Sequence, residues 1–320
     1  MESSALHQVT ALIPVLNEEK AVGIVLDEVI KAGVPRENIV VVDGGSTDRT
    51  VEIAKSKNVL VVLQEGKGKA DAIKTGLRYV KTPYVIVMDG DGTYPAEYIP
   101  RLLRQAEDQG CDLVIGVRRY GKEAQKLVFK IGNRIITFFF NILFGVRLHD
   151  VLSGMYLART AKLREISFEM KGFSVESEIV SHFINMGYTV CEEPIEYRPR
   201  VDPRSKKLRV RHGIRIARDI VRLTIRYNPA FFIFLLGALL LVPGLALGSW
   251  VAYHYFFTGI KYYVRGLLAV IITLAGFSSM IAAIMALYVK RVEIRFNRKF
   301  EEIRSMLQQC NSRTAPESCK

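Results

Sequence analysis

The sequence VIVMDGDGTYP, residues 85–95, changes abruptly from apolar to acidic at Asp89 and Asp91. The apolar run is typical of a buried strand, and the glycines and proline that follow end it. Such a strand delivers both acids to the carboxyl edge of a sheet, where open α/β folds bind ligands. Residues i and i+2 of a strand share a face, so the carboxylates can converge on one hard cation that also binds phosphate oxygens. Asp-x-Asp also occurs in ordinary loops, so this prediction depends on the neighbouring motifs.

The residues on either side of this stretch alternate between strand and helix patterns. Strands are predicted at residues 9–14, 38–43, 59–63, 85–89 and 111–116, with helical segments between them. This alternation predicts an α/β fold with a doubly wound, mostly parallel sheet. Every turn of interest falls at the carboxyl end of a strand.

Charge and hydropathy narrow the class of protein. The 320 residues carry 45 Lys+Arg against 32 Asp+Glu, a formal net charge of +13. That excess suits nucleic acid, an anionic membrane surface or phosphorylated substrates. Residues 230–257 and 266–289 are almost wholly apolar, and each exceeds the roughly 20 residues needed to cross a bilayer. The sequence therefore predicts an integral membrane protein, with no nucleic-acid partner. The polar first ten residues do not resemble a signal peptide.

Basic residues predict the orientation of the two spans. Between residues 198 and 226 there are eleven basic residues and two acids, just before the first span. Five more basic residues follow the second span within residues 290–299, whereas the connection between the spans has Lys261 and Arg265. By the positive-inside rule, the spans form a hairpin in the plasma membrane with both termini cytoplasmic.

Two further segments have membrane-surface patterns. Residues 135–146 are apolar but too short to span, and they follow Lys126, Lys130 and Arg134. An interfacial helix and a buried core helix both fit this pattern. In residues 211–226 arginine recurs every three or four positions, which favours an amphipathic helix on the membrane surface over a solvated one.

These patterns predict four parts of the chain. A cytosolic domain (1–210) precedes a juxtamembrane amphipathic helix (211–228), two transmembrane helices (229–290) and a cytosolic tail (291–320). The cysteines, at positions 111, 191, 310 and 319, have neither metal-ligand nor redox-motif spacing, and the histidines form no zinc pattern. A reduced cytosolic domain is therefore expected.

The turns form an ordered set. In chain order they are IPVLNE (13–18), DGGSTD (43–48), GKG (66–68), DGD (89–91), DVLSG (150–154) and GFSVESE (172–178). Over about residues 8–210 this set resembles the inverting family-2 glycosyltransferases with a GT-A fold, specifically the polyprenyl-phosphate and dolichyl-phosphate sugar synthases. Its aspartate–glycine forms are most similar to archaeal members that charge dolichyl phosphate for protein N-glycosylation.

The resemblance implies a donor site. Pro14, Glu18 and Asp43 would line the nucleotide base and ribose, Lys67 would lie near the diphosphate, Asp89 would contact ribose or metal, and Asp91 would bind Mg²⁺ or Mn²⁺. Many relatives have a second aspartate where Gly44 stands here. The identity of the base is therefore open, and the resemblance to archaeal members favours UDP over GDP.

The resemblance also implies an acceptor site. Arg118, Arg134, Arg200 and Lys206 or Lys207 would bind the lipid phosphate, and Ser153 and Glu176 would shape the sugar pocket. Arg118 and Arg134 join Asp89 and Asp91 as the expected catalytic residues. A lipid phosphate is already anionic at neutral pH, so its oxygen needs no general base, and catalysis reduces to positioning and to stabilising the leaving diphosphate.

The predicted function is transfer of glucose or N-acetylglucosamine from UDP, or mannose from GDP, to dolichyl or polyprenyl phosphate. The product would be a lipid-linked monosaccharide for protein glycosylation. One alternative is a processive polysaccharide synthase, but the single tryptophan, Trp250, lies inside the first span without a Gln-x-x-Arg-Trp motif. A non-catalytic membrane scaffold is the other alternative, and it would not require the two aspartates with the nucleotide-type turns.

Overall fold

The computed structural model describes residues 5–120, 127–168, 175–202, 218–222, 224–226 and 228–313. The chain divides into one compact unit formed by Met1–Arg222 and another formed by Leu223–Lys320. Lys206, Lys207 and residues 211–217 of the predicted juxtamembrane helix lie outside the described residues. Residues 218–222 and 224–226 of that segment are helical.

The first unit is built on a β-sheet. Its strands are β1 (Val9–Val15), β2 (Ile39–Asp43), β3 (Leu60–Leu63), β4 (Tyr84–Val87), β5 (Leu113–Tyr120), β6 (Tyr156–Arg159) and β7 (Val190–Tyr197). Within the described residues they form one seven-stranded sheet in the order β3-β2-β1-β4-β6-β5-β7. Strand β6 runs antiparallel to β4 and β5, and the other pairs are parallel. The predicted doubly wound, mostly parallel sheet is confirmed.

Helices connect the strands. They are α1 (Val22–Lys31), α2 (Thr50–Ser56), α3 (Lys69–Leu77), α4 (Ile99–Asp108), α5 (Leu127–Phe144), α6 (Thr160–Leu163) and α7 (Val175–Asn185). Strand β1 is buried almost throughout, as expected of a central strand covered on both faces. Helix α3 lies close to the sheet, because a Cβ at Gly76 would be 2.7 Å from Leu12 Cδ1 and 2.8 Å from Val42 Cγ2. Strand β3 ends at Leu63 and α3 begins at Lys69, so the N-terminus of α3 lies at the carboxyl edge of the sheet.

A disulfide joins Cys111 to Cys191, with their Cα atoms 6.0 Å apart. The expectation of a reduced domain is therefore wrong for this pair. The spacing of 80 residues concealed the pairing, which arises because β5 and β7 are parallel neighbours that bring their amino ends together. The bond fastens β7, at the edge of the sheet, to the buried Cys111.

We expect reduction of this disulfide to lower the free energy of unfolding by about 2–4 kcal/mol, because it releases a long closed loop in the unfolded chain. Thermal melting in detergent, with and without dithiothreitol, measures the effect. The Cys111→Ser/Cys191→Ser variant is the control, since its melting temperature should not respond to the reductant. Equal melting of the oxidised and reduced wild type would contradict the prediction.

Helix α5 has two different faces. Phe140, with Thr137 and Leu143, is buried against the unit. On the other face five large apolar side chains, Ile131, Ile135, Phe138, Phe139 and Ile142, are 49–60% exposed. One face of α5 is therefore packed as in a core helix. The opposite face is an exposed apolar surface of the kind that marks a membrane or partner contact. We call these five residues the α5 apolar face.

The second unit is a helical hairpin of α8 (Pro229–Tyr253) and α9 (Tyr263–Arg313). Among the described residues, Pro229–Thr258 and Tyr263–Asn297 are the two helical segments long and apolar enough to cross a membrane. They pack closely at glycines: a Cβ at Gly244 would be 2.6 Å from Thr273 Oγ1, and one at Gly276 would be 2.7 Å from Leu241 N. Helix α9 continues to Arg313, so the first part of the predicted tail is helical.

Candidate active site

The aspartates of the DGD turn lie just beyond the end of a strand. Strand β4 ends at Val87, so Asp89 and Asp91 belong to the following loop. The strand periodicity that was expected to place them on one face therefore does not apply. Asp91 Oδ1 instead accepts hydrogen bonds from the Thr93 backbone N–H (3.0 Å) and hydroxyl (2.6 Å), which fixes its side chain within the loop.

Arg200 contacts Asp91 although it lies 109 residues further along the sequence. Its Nε donates to Asp91 Oδ2 at 2.9 Å, and its Nη2 lies 3.6 Å from Glu18 Oε1. The chain after β7 is held against the DGD loop by backbone hydrogen bonds from Arg198 N to Thr93 O (2.9 Å) and from Val201 N to Asp91 O (3.3 Å). Arg200, predicted to bind the lipid phosphate, thus lies beside the predicted metal ligand.

Asp89 is paired with a lysine that sequence reasoning did not select. Lys69 Nζ lies 2.6 Å from Asp89 Oδ1 and 2.6 Å from Glu176 Oε1, so it bridges the DGD loop and helix α7. Burial lowers the pKa of Lys69, but the two carboxylates outweigh this effect and raise the pKa well above its ordinary value. Lys69 is therefore a cation at neutral pH. The expected diphosphate ligand, Lys67, is exposed, and its backbone N–H donates to Asp71 Oδ2.

Gly154 makes room for this pair. A Cβ at Gly154 would lie 2.3 Å from Asp89 Oδ2 and 3.2 Å from Lys69 Nζ. The Gly154 N–H donates to the buried Tyr94 hydroxyl at 2.7 Å. The neighbouring Ser153, predicted for the sugar pocket, donates its hydroxyl to the Gly116 carbonyl and is buried. The described structure thus gives Ser153 a hydrogen bond that holds the loop to β5.

The turns after β1 and β2 lie side by side, since Val15 pairs with Asp43. Asp43 Oδ2 and Oδ1 accept the N–H groups of Gly45 and Ser46, both at 3.1 Å, which shapes the glycine–serine turn. Glu18 is buried, and its N–H donates to the Thr50 hydroxyl at 2.8 Å. Pro14 is half-buried within β1. These predicted nucleotide-binding residues are therefore held next to each other at the same edge as Asp91.

Arg118, a predicted ligand of the lipid phosphate, is held by Asp150. Its Nε and Nη2 donate to the two Asp150 oxygens at 2.6 and 2.8 Å, and Asn133 of α5 donates to Asp150 Oδ1 at 2.9 Å. Burial raises the pKa of Asp150, but the Arg118 guanidinium outweighs burial and lowers it. Arg134, the next residue after Asn133, is exposed. Of the predicted phosphate ligands that are described, Arg134 alone lies open to solvent.

The edge carries a negative excess. Four carboxylates (Glu18, Asp89, Asp91 and Glu176) surround the two cations Lys69 and Arg200. Within the described residues no group of three or more His, Cys, Asp or Glu side chains is arranged to hold a metal. Oxygen ligands and a net negative charge suit Mg²⁺ or Mn²⁺, which complete their coordination with water and phosphate oxygens rather than with an all-protein cage.

Comparisons with known proteins show the family of the chain. Residues 10–167 match the family described as Glycosyl transferase family 2. The chain is 36% identical over 186 residues to the dolichyl-phosphate hexose transferase of Haloferax volcanii, covering 58% of this chain and 80% of that one. It is 29% identical over 301 residues to glycosyltransferase AglJ of the same organism, covering 92% and 98%.

A solved structure shares the fold. Glucosyl-3-phosphoglycerate synthase from Mycobacterium tuberculosis, in complex with Mn²⁺, UDP and glucosyl-3-phosphoglycerate, aligns with a TM-score of 0.58 and 20% identity. The alignment covers 71% of this chain and 82% of the synthase. At this identity the likeness shows a common GT-A type of fold, in agreement with the sheet order.

Proposed function

The chain belongs to glycosyl transferase family 2 and is a glycosyltransferase, and from this premise we propose that it transfers a sugar from a nucleoside diphosphate sugar to dolichyl or another polyprenyl phosphate. The proposed donors are UDP-glucose, UDP-N-acetylglucosamine and GDP-mannose, with UDP favoured. The product would be a lipid-linked monosaccharide used in protein glycosylation.

One structural observation supports the proposal that the acceptor is a lipid. Helix α5 supplies Asn133, which contacts the Asp150 that holds Arg118, and the same helix exposes the α5 apolar face to the surroundings. A single helix thus connects the charged edge of the sheet with an apolar surface. A polyprenyl phosphate has the matching chemistry, with an anionic group at one end and a long apolar tail.

The reaction follows from the charges of the two substrates. An oxygen of the lipid phosphate forms a bond to the anomeric carbon, and the bond from that carbon to the donor diphosphate breaks with its electron pair leaving on the diphosphate. The acceptor is already ionised, so the protein orients it and stabilises the leaving group. Arg200 and Lys69 place two positive charges beside the carboxylates at the sheet edge, and the exposed Arg134 provides a cation for the acceptor.

We further propose a divalent cation, Mg²⁺ or Mn²⁺, with Asp91 and Asp89 as its protein ligands. The negative excess of the edge supports this proposal, because a donor diphosphate is itself anionic and would be repelled without a counter-charge. When bound, the ion would neutralise the diphosphate as it leaves.

The experiment that tests the function uses membranes from cells expressing the chain, incubated with polyprenyl phosphate and a panel of UDP- and GDP-sugars. Mass spectrometry should identify one glycolipid with a single added sugar. Membranes carrying Asp91→Asn are the control. A polymer of several sugars would support a processive synthase instead, and the absence of any sugar-dependent product would reject the proposal.

The α5 apolar face gives a separate prediction. We expect Phe138→Ser/Phe139→Ser to raise the KM for a long-chain polyprenyl phosphate about tenfold, because two exposed aromatic groups no longer enter the membrane surface or contact the lipid. The KM for a short, water-soluble analogue should change little. Ile24→Ser, which alters an exposed apolar side chain on α1, serves as the control. Equal effects on both acceptors would contradict a lipid-facing role.

We also propose that both termini are cytoplasmic, on the same side as the nucleotide-sugar pool. The basic residues that flank the two apolar helices support this orientation. In intact cells, a membrane-impermeant maleimide should therefore fail to label Cys319, whereas permeabilised cells should be labelled. Labelling of intact cells would reverse the proposed orientation.

A further inference from the structure

Tyr156 is a buried tyrosine at the carboxyl edge of the sheet. It is the first residue of β6, and it pairs with Val87 of β4 and Ile115 of β5. The residue is 3% exposed, and its hydroxyl has no hydrogen-bond partner among the described residues. A buried hydroxyl without a partner is costly, so native proteins retain one where it has a further use.

The surroundings of this hydroxyl are polar. Tyr156 pairs with Val87, two residues before Asp89, and it follows Gly154 by two residues. A Cβ at Gly154 would meet Asp89 and Lys69, so the backbone places Tyr156 beside the bridge between the DGD loop and α7. Burial raises the pKa of Tyr156, so the group remains a neutral O–H donor and acceptor. The cluster is reached from the sheet edge, since the side chains of Asp89 and Lys69 are 33% and 17% exposed.

Lys69 and Glu176 also retain hydrogen-bonding capacity. The Lys69 ammonium has three N–H donors, of which Asp89 and Glu176 account for two. Glu176 uses Oε1 for Lys69, and a carboxylate has two oxygens that accept. Lys69 and Glu176 thus keep a spare donor and a spare acceptor beside the DGD loop, in the same part of the sheet edge as Tyr156. A sugar hydroxyl both donates and accepts a hydrogen bond, and so it matches this set.

We propose that Tyr156, Lys69 and Glu176 form a subsite that binds one hydroxyl group of the transferred sugar and thereby selects the donor. This inference rests on the proposed function and adds two specificity residues, Tyr156 and Lys69. A site built to hydrogen-bond a hydroxyl discriminates strongly against an analogue that lacks it, because the buried polar groups then lose their partner.

Tyr156→Phe tests the subsite, because it removes one oxygen and keeps the aromatic ring. With the preferred nucleotide sugar, kcat/KM should fall about tenfold to a hundredfold. Binding of the free nucleoside diphosphate, measured by titration calorimetry, should stay unchanged. With a set of monodeoxy analogues of the preferred donor, one analogue should be used equally by the wild type and the variant, which identifies the hydroxyl that Tyr156 binds.

Tyr84→Phe is the matched control, since Tyr84 is also a buried strand tyrosine. It is the first residue of β4 and lies at the amino end of that strand, away from the carboxyl edge. It should leave kcat/KM for every donor unchanged. The inference is overturned if Tyr156→Phe leaves kcat/KM unchanged, or if it loses the same factor with every deoxy analogue and also weakens binding of the nucleoside diphosphate. If the wild type transfers no sugar to polyprenyl phosphate, the proposed function fails instead, so the two failures are distinguishable.

Discussion

Replacing Asp91 with asparagine should lower sugar transfer about a hundredfold to a thousandfold while leaving the fold intact. Asparagine has the same shape, and its side-chain oxygen can still accept the hydrogen bonds of Thr93 that form the loop. The substitution removes the negative charge that pairs with Arg200 and that would bind a divalent cation. The loss should therefore appear in kcat, measured with saturating donor, and in the affinity for Mn²⁺, measured by electron paramagnetic resonance.

The control for this substitution is Asp108→Asn, which changes an exposed aspartate at the end of α4. It should transfer sugar and bind Mn²⁺ like the wild type. Near-normal transfer by Asp91→Asn, with an unchanged melting temperature, would remove Asp91 from the reaction and leave the DGD loop with a structural role.

Replacing Lys69 with methionine should lower the free energy of unfolding by about 3–5 kcal/mol, because it leaves Glu176 and Asp89 without their shared cation. Glu176 is 7% exposed and cannot regain full hydration. Donor binding should weaken as well, since two uncompensated carboxylates would repel the diphosphate. Thermal melting and titration with the nucleoside diphosphate measure the two effects.

A second substitution separates charge from packing. Lys69→Met/Glu176→Gln removes one of the carboxylates and should recover a large part of the stability lost in the single variant. Lys74→Met, on the exposed side of the same helix, should melt like the wild type. If Lys69→Met alone also melts like the wild type, the bridge between α3 and α7 contributes little to the fold.

The sequence predicts the sheet edge well because local patterns determine it. Strands β1 to β4 are short apolar runs, and each of them begins within one residue of its predicted start. Strand β4 ends two residues earlier than predicted, at Val87, so its acids fall just beyond it. Strand β5 extends to Tyr120 because its charged second half pairs with β7, and charge alone suggests a strand end. Strand β6 has four residues, too few to show an alternation.

The contacts that complete the site are long-range, which is why the sequence pattern does not reveal them. Arg200 is 109 residues from Asp91, and Lys69 is 107 residues from Glu176. The choice between Lys67 and Lys69 depends on where α3 begins, because the first residue of the helix is turned toward the sheet edge. The motif GKGK contains both lysines. The start of the helix directly after Gly68 is the local feature that distinguishes Lys69 from Lys67.

The covalent link between Cys111 and Cys191 has a practical consequence for anyone preparing this enzyme. A batch purified with excess thiol and a batch purified without it will contain two chemically different proteins. Their kinetic constants should not be pooled, and each assay should record the oxidation state of its sample.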